Sequence, residues 1–183
     1  SYQTEDESFH IGPISLSITA GETVFIVGGN GSGKSTLLKV LTGLYWPNAG
    51  SIRLDGIPIR PSNVQAYREL VSTVLTDFHL FKKLYGASSR EPARVRELLE
   101  QMNLAHKTSY ADGHFTKLDL STGQRKRMAL IVSLLEDRPL YAFDELAADQ
   151  DPEFRRYFYE ELLPALQQRG KTVIVISHDD RYF

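Results

Sequence analysis

The chain has 183 residues, 42% of them hydrophobic and 24% charged, enough for one core with a small appended lobe. A formal net charge of −2 leaves no large basic face to neutralise phosphates, so nucleic acid is not an expected partner. The absence of cysteine excludes disulfides and thiolate-bound zinc or iron–sulfur sites. The opening Ser-Tyr-Gln-Thr-Glu-Asp-Glu is acidic with no apolar stretch behind it, unlike a signal peptide. No apolar run reaches the roughly 20 residues of a membrane helix, so the chain is expected to be soluble on its own. Its stop at Phe183, a few residues after a strand, points to a piece of something longer.

Residues 9–18 alternate apolar and polar side chains towards their end and predict an antiparallel strand near the N-terminus. Gly21-Glu22 is a turn, and the apolar run 23–27 predicts a strand covered on both faces. A glycine-rich stretch, 28–33, leads into a helix over about 34–44, which stops at Pro47-Asn48-Ala49-Gly50. Residues 51–54 with Asp55-Gly56 predict a strand entering a hairpin. The middle, from about 60 to 120, is more helical and more polar, with a helix over 92–102 that carries Pro near its start. Beyond it the spacing predicts a helix over 122–136, a buried strand over 140–144, an amphipathic helix over 152–168 and a strand over 172–177. Such alternation implies an α/β fold with a mostly parallel sheet, helices on its faces and an inserted helical lobe at about 77–138.

Gly28-Gly29-Asn30-Gly31-Ser32-Gly33-Lys34-Ser35 fits the phosphate-binding pattern G-x-x-x-x-G-K-[ST], between a predicted strand and a predicted helix as the pattern requires. Glycines let successive N–H groups converge on phosphate oxygens, and the helix N-terminus behind them adds a positive dipole end. Lys34 is placed to reach the β- and γ-phosphates of ATP, and the Ser35 hydroxyl to ligate magnesium. Leu140-Tyr141-Ala142-Phe143-Asp144-Glu145 is an apolar strand ending in two carboxylates. Alone, two acids after a strand are more often a helix cap or a solvated loop. Beside a phosphate loop, Asp144 reads as a magnesium-holding aspartate and Glu145 as the group that orients and deprotonates the attacking water.

Leu120-Ser121-Thr122-Gly123-Gln124, between that loop and the Asp-Glu strand, resembles the signature motif of the ABC ATPase family. The resemblance implies a P-loop NTPase core binding ATP and Mg2+. It implies a head-to-tail homodimer in which Ser121, Gly123 and Gln124 of one subunit close over the γ-phosphate held by Gly33, Lys34, Ser35 and Thr36 of the other. By the same resemblance His178 contacts the γ-phosphate and links it to Glu145, Asp151 is the D-loop aspartate, and Tyr2 stacks on adenine. Thr76 stands where the family has a magnesium-sensing glutamine, with Asp77 beside it, so either residue fills that role. The triplet Arg125-Lys126-Arg127 reads as a solvated helix face, as similar charges often follow this motif.

Gly-Gly-Asn-Gly-Ser-Gly-Lys-Ser-Thr (28–36), Leu-Thr-Gly-Leu-Tyr (41–45), Asp-Phe-His-Leu-Phe (77–81), Ala-Ala-Asp-Gln-Asp-Pro (147–152) and Ile-Ser-His-Asp-Asp (176–180) are similar to bacterial cyclic-peptide exporters of the pyoverdine-precursor and syringomycin types. That similarity implies a half-transporter at the cytoplasmic face of the bacterial inner membrane, with a transmembrane domain of the same polypeptide. The alternative is a soluble ABC-type ATPase of DNA repair or translation. The stretch from Lys34 to Ser121 shows no sustained heptads of the kind repair types carry. Translation types carry two cassettes in one chain, and one is visible here.

Overall fold

The computed structural model of the chain describes residues 10–80 and 92–182. In chain order these form β1 (Thr23–Ile26), α1 (Lys34–Leu41), the hairpin strands β2 (Arg53–Leu54) and β3 (Ile57–Pro58), α2 (Val64–Arg68) and β4 (Val71–Val74). Then follow α3 (Pro92–Gln101), a second hairpin of β5 (Tyr110–Ala111) and β6 (His114–Phe115), α4 (Thr122–Glu136) and β7 (Leu140–Asp144). Last come α5 (Pro152–Arg156), a π-helical segment (Tyr157–Leu162), α6 (Leu163–Gln168), β8 (Thr172–Ile176) and a 3-10 turn (Asp180–Tyr182). Pro164, which lacks a backbone N–H, follows the π segment at the start of α6, where a regular α-helical bond to the preceding turn cannot form.

β1, β8, β7 and β4 form one parallel sheet in that order. Side chains alternate between its faces, and so does the core. Tyr141, Phe143, Val173, Val175 and Val74 face α3 to α6 and join Leu98, Met128, Ile131 and Phe158 in the main cluster. Ala142, Ile174 and Ile176 point the other way and meet Leu38 of α1. Helices thus cover both faces, as the strand–helix rhythm predicts. The register sets Ile26 beside Ile176 and Ile176 beside Asp144. The C-terminal tips of three strands therefore lie side by side, with the glycine loop, His178 and the Asp144-Glu145 pair issuing from them.

Three local expectations need correction. Residues 10–19 form no strand: Pro13 has no N–H to give a ladder, Ile14 and Leu16 are exposed, and no described strand pairs with them. β1 is half-buried rather than covered on both faces, because the strand order puts it at the sheet's edge; β7 and β8 occupy the centre. The middle of the chain also contains β4, which the polar Ser72-Thr73 step disguised. Ser72 is buried there because its hydroxyl is bonded to Ser133 (2.9 Å) and to Glu136 of α4.

Candidate nucleotide site

β1 ends at Ile26, and the chain turns through seven residues to start α1 at Lys34. Gly33 caps the helix in the left-handed region, at φ 89°, where a side chain would be strained. No side chain caps α1, and its first turn holds no acid. Its first intrahelical bond runs from the Leu37 N–H to the Gly33 carbonyl at 2.8 Å. The amides of Lys34, Ser35 and Thr36 therefore lack acceptors within the helix and form an anion-binding end. Asn30, Gly31 and Ser32 lie exposed above it. A Cβ on Gly28 would come within 3.2 Å of the Ser32 hydroxyl, so the loop closes tightly only with glycine there.

Lys34 is 7% exposed and its Nζ donates to the carbonyls of Gly28 and Gly29, at 2.9 Å each. Its ammonium is thus held under the loop whose amides it would join in holding phosphate. The Ser35 hydroxyl donates to Asp144 Oδ1 at 3.0 Å, and the Asp144 residue is only 2% exposed. One carboxylate and one hydroxyl side by side suit Mg2+, which keeps several waters and takes its other oxygens from substrate phosphates. No cluster of three or more acidic or histidine side chains suited to a metal exists among the described residues.

Glu145 follows at φ 50°, with its N–H donating to the Ile176 carbonyl at 3.1 Å. Its Oε1 lies 2.9 Å from Nε2 of His178. The backbone around His178 is held by Ser177, whose Oγ accepts from the Asp179 N–H (2.9 Å) and pairs with the buried hydroxyl of Tyr159 (2.6 Å). Lys34, Ser35, Asp144, Glu145 and His178 thus come together at the ends of neighbouring strands. A small cleft beside them is lined by Glu145, Ala148, Arg155, Tyr159 and His178.

Thr76 and Asp77 part company. The Thr76 hydroxyl donates to the Asp144 carbonyl at 3.4 Å, which sets Thr76 beside the Ser35–Asp144 pair. Asp77, with a side chain 68% exposed, is instead ion-paired to Lys39 of α1 at 3.1 Å. The bond from Lys39 lowers the Asp77 carboxyl below the usual range, and the same bond raises the Lys39 ammonium. Of the two residues, Thr76 has the contact with the magnesium-type pair. Tyr2 lies outside the described residues.

Ser121 is the N-cap of α4. Its hydroxyl accepts from the Gln124 N–H and the Gln124 side chain accepts from the Ser121 N–H, a reciprocal capping box. The side chain of Gln124 is therefore committed to its own helix. Gly123 packs against the loop after β7: a Cβ there would sit 3.0 Å from the Asp149 carbonyl, and its own carbonyl accepts from Gln150. Among the described residues no hydrogen bond joins 121–124 to 28–36. Asp151 caps α5 through the Phe154 N–H (2.9 Å) and is ion-paired with Arg127. Those contacts, the Phe154 amide first, hold its carboxyl below the usual range.

The basic triplet is not a solvated face. Arg125 is exposed, but Lys126 is 4% exposed and bonded to Glu145 and Asp149. Arg127 is also sequestered: it reaches Gln150 and Asp151, and its guanidinium lies 4.5 Å from the Phe154 ring centroid. The helical spacing of the two residues was visible in the sequence; the acids that meet them lie on a separate loop.

A parallel sheet with a glycine loop at one strand tip and an acidic pair at another, separated by the strand that carries His178, defines a P-loop nucleoside triphosphatase. The family model for the ABC transporter matches residues 11–148. The chain is 51% identical over 179 residues to the ATP-binding protein SyrD of Pseudomonas syringae pv. syringae, across 96% of this chain and 32% of that protein. It is 35% identical over 190 residues to an ATP-dependent lipid A-core flippase of Alkalilimnicola ehrlichii, across 95% of this chain and 31% of that one. A bacterial Atm1-family ABC exporter solved with ATP bound superposes with a TM-score of 0.73 at 27% identity, over 91% of this chain and 31% of that chain. A dimeric bacterial ABC transporter cassette gives 0.74, also at 27% identity, over 91% of this chain and 79% of that chain. The chain belongs to the ABC transporter family and is its ATP-binding cassette. It spans about a third of the length of the curated relatives it matches.

Proposed function

We propose that this cassette hydrolyses ATP to drive an exporter of cyclic peptides, with a transmembrane domain in the same polypeptide at the cytoplasmic face of the bacterial inner membrane. The observation that carries the ATPase reading is the meeting of Ser35 with Asp144, at 3.0 Å, beside the Glu145–His178 pair. The loop amides and Lys34 bind the phosphates, Ser35 and Asp144 hold Mg2+, and Thr76 lies beside them through the Asp144 carbonyl. Mg2+ held by Ser35 and Asp144 would supply positive charge against the phosphate oxygens. Glu145 takes the proton of the attacking water, and His178 holds Glu145 in place and contacts the γ-phosphate.

The cassette acts as a head-to-tail homodimer. The lobe at about 77–138 carries Ser121, Gly123 and Gln124, which have no bond to the chain's own phosphate loop; the partner's ATP gives the Ser121 hydroxyl and the Gly123 N–H an anion to hold, while Gln124 fixes the helix start that presents them. The loss of the γ-phosphate then loosens the pair. The likeness to SyrD supports cyclic peptides of the syringomycin type as the cargo. The test is ATP-dependent accumulation of a cyclic peptide in inverted vesicles carrying the full-length transporter. Wild type accumulates it and Glu145→Gln does not; hydrolysis that no cyclic peptide stimulates and no vesicle accumulates would leave the ATPase and remove the cargo.

A further inference from the structure

Lys126 lies one turn into α4, and its ammonium is almost wholly removed from water. It donates to the Glu145 carbonyl at 3.0 Å and to Asp149 at 2.8 Å. Stability does not explain an ammonium at this position. The Asp149 side chain is 60% exposed, so the pair gains little from the low dielectric that desolvates the lysine. An apolar side chain of the same length would pack there without losing hydration. What the ammonium does achieve is geometric. Glu145 sits in the left-handed region, where a residue with a Cβ stays only if its surroundings hold it. Its N–H is tied to the end of β8, and its carbonyl accepts both the Ala148 N–H at 3.2 Å and the Lys126 ammonium. The peptide planes on both sides of the Glu145 Cα are thereby fixed, which sets the direction in which the carboxylate leaves the backbone and meets His178.

We propose that Lys126 is a positioning residue for ATP hydrolysis: through the Glu145 carbonyl it aims the Glu145 carboxylate, and its bond to Asp149 ties the loop that carries Glu145 to the helix that Ser121 caps, of which Lys126 is part. The inference rests on Glu145 being the base, so Glu145→Gln runs beside every variant. In the full-length transporter, Lys126→Met keeps the length of the side chain and removes the donor. It lowers kcat roughly 10- to 100-fold, the cost of misplacing a catalytic group by about an ångström. The KM for ATP and the melting temperature stay near wild type. Lys126→Gln, which can still donate to a carbonyl, recovers part of the rate. If Lys126→Met does not accumulate as folded protein, Asp149→Ala replaces it; the lysine then loses its second anchor, and kcat falls several-fold at unchanged ATP affinity. Wild-type kcat in Lys126→Met, a glutamine variant no faster than the methionine one, or a loss of rate that follows the melting temperature each overturns the proposal. Wild-type hydrolysis in Glu145→Gln instead removes the base assignment itself.

Discussion

Nε2 of His178 and Oε1 of Glu145 lie 2.9 Å apart, on loops that leave two adjacent strands of the same sheet. Neither side chain is fully buried, at 39% and 30% exposure, so both remain open to a bound phosphate and a water. Glu145→Gln is expected to keep nucleotide binding and to slow hydrolysis by about 10²–10⁴, the range for loss of a general base. His178→Ala is expected to slow turnover as well, because the carboxylate loses the partner that holds it. Phosphate release and ATP affinity, measured on the same preparations, separate chemistry from binding.

Lys34 has its charge beneath the loop, on two carbonyls. Lys34→Ala removes a charge-assisted contact to the β- and γ-phosphates, worth about 1.5–3 kcal/mol. ATP affinity with magnesium present should fall by roughly 10- to 100-fold. Equal affinity for ATP in the variant and the wild type would reject the placement of the phosphates on this loop.

Ser121 and Gly123 allow a test of the dimer. In a Glu145→Gln background, MgATP should convert the monomer to a dimer, read by sedimentation. Ser121→Arg should abolish that conversion while ATP binding to the monomer persists, since no bond connects Ser121 to the chain's own phosphate loop. Gly123→Ala should also weaken the dimer: its Cβ would meet the Asp149 carbonyl at 3.0 Å, and that backbone must shift. A dimer that forms equally well with Ser121→Arg would place the signature helix outside the interface.

Asp151 provides a pH-dependent contribution to stability. Removing an N-cap carboxylate costs about 1 kcal/mol, so Asp151→Ala should unfold at lower urea than wild type at pH 7. The folded carboxyl titrates below its usual value because it accepts from Phe154 and Arg127. Its contribution is therefore complete above the ordinary carboxylate range, about pH 4, and is lost as pH falls through the lowered value. The gap between wild type and Asp151→Ala should close in acid. The Arg127 share of it should also shrink in high salt, since the carboxylate is half exposed.

Much of the phosphate site was legible in the linear order of residues. Gly28 to Ser35 are contiguous, and a strand, a run of glycines and a helix start are each set by contacts within a turn or two. The apolar run into Asp144 and Glu145 was legible for the same reason, as were α4 and β8. The pairing of Ser35 with Asp144 was not in the order itself, because 109 positions separate them and only the sheet brings them together. Tertiary structure also decided between Thr76 and Asp77, neighbours in the chain: one hydroxyl reaches the Asp144 carbonyl, while the adjacent carboxylate reaches a lysine on α1. It put β1 at the edge of the sheet, half-buried where the apolar run predicts a strand covered on both faces, since such a run specifies that a strand is buried somewhere but not which strand lies beside it. And it turned Lys126 and Arg127 from surface charges into sequestered donors, the first buried and the second partly so. Whether a long cationic side chain is solvated depends on what packs over its helix, and here that is the loop after β7, which supplies the carboxylates and carbonyls the two residues need.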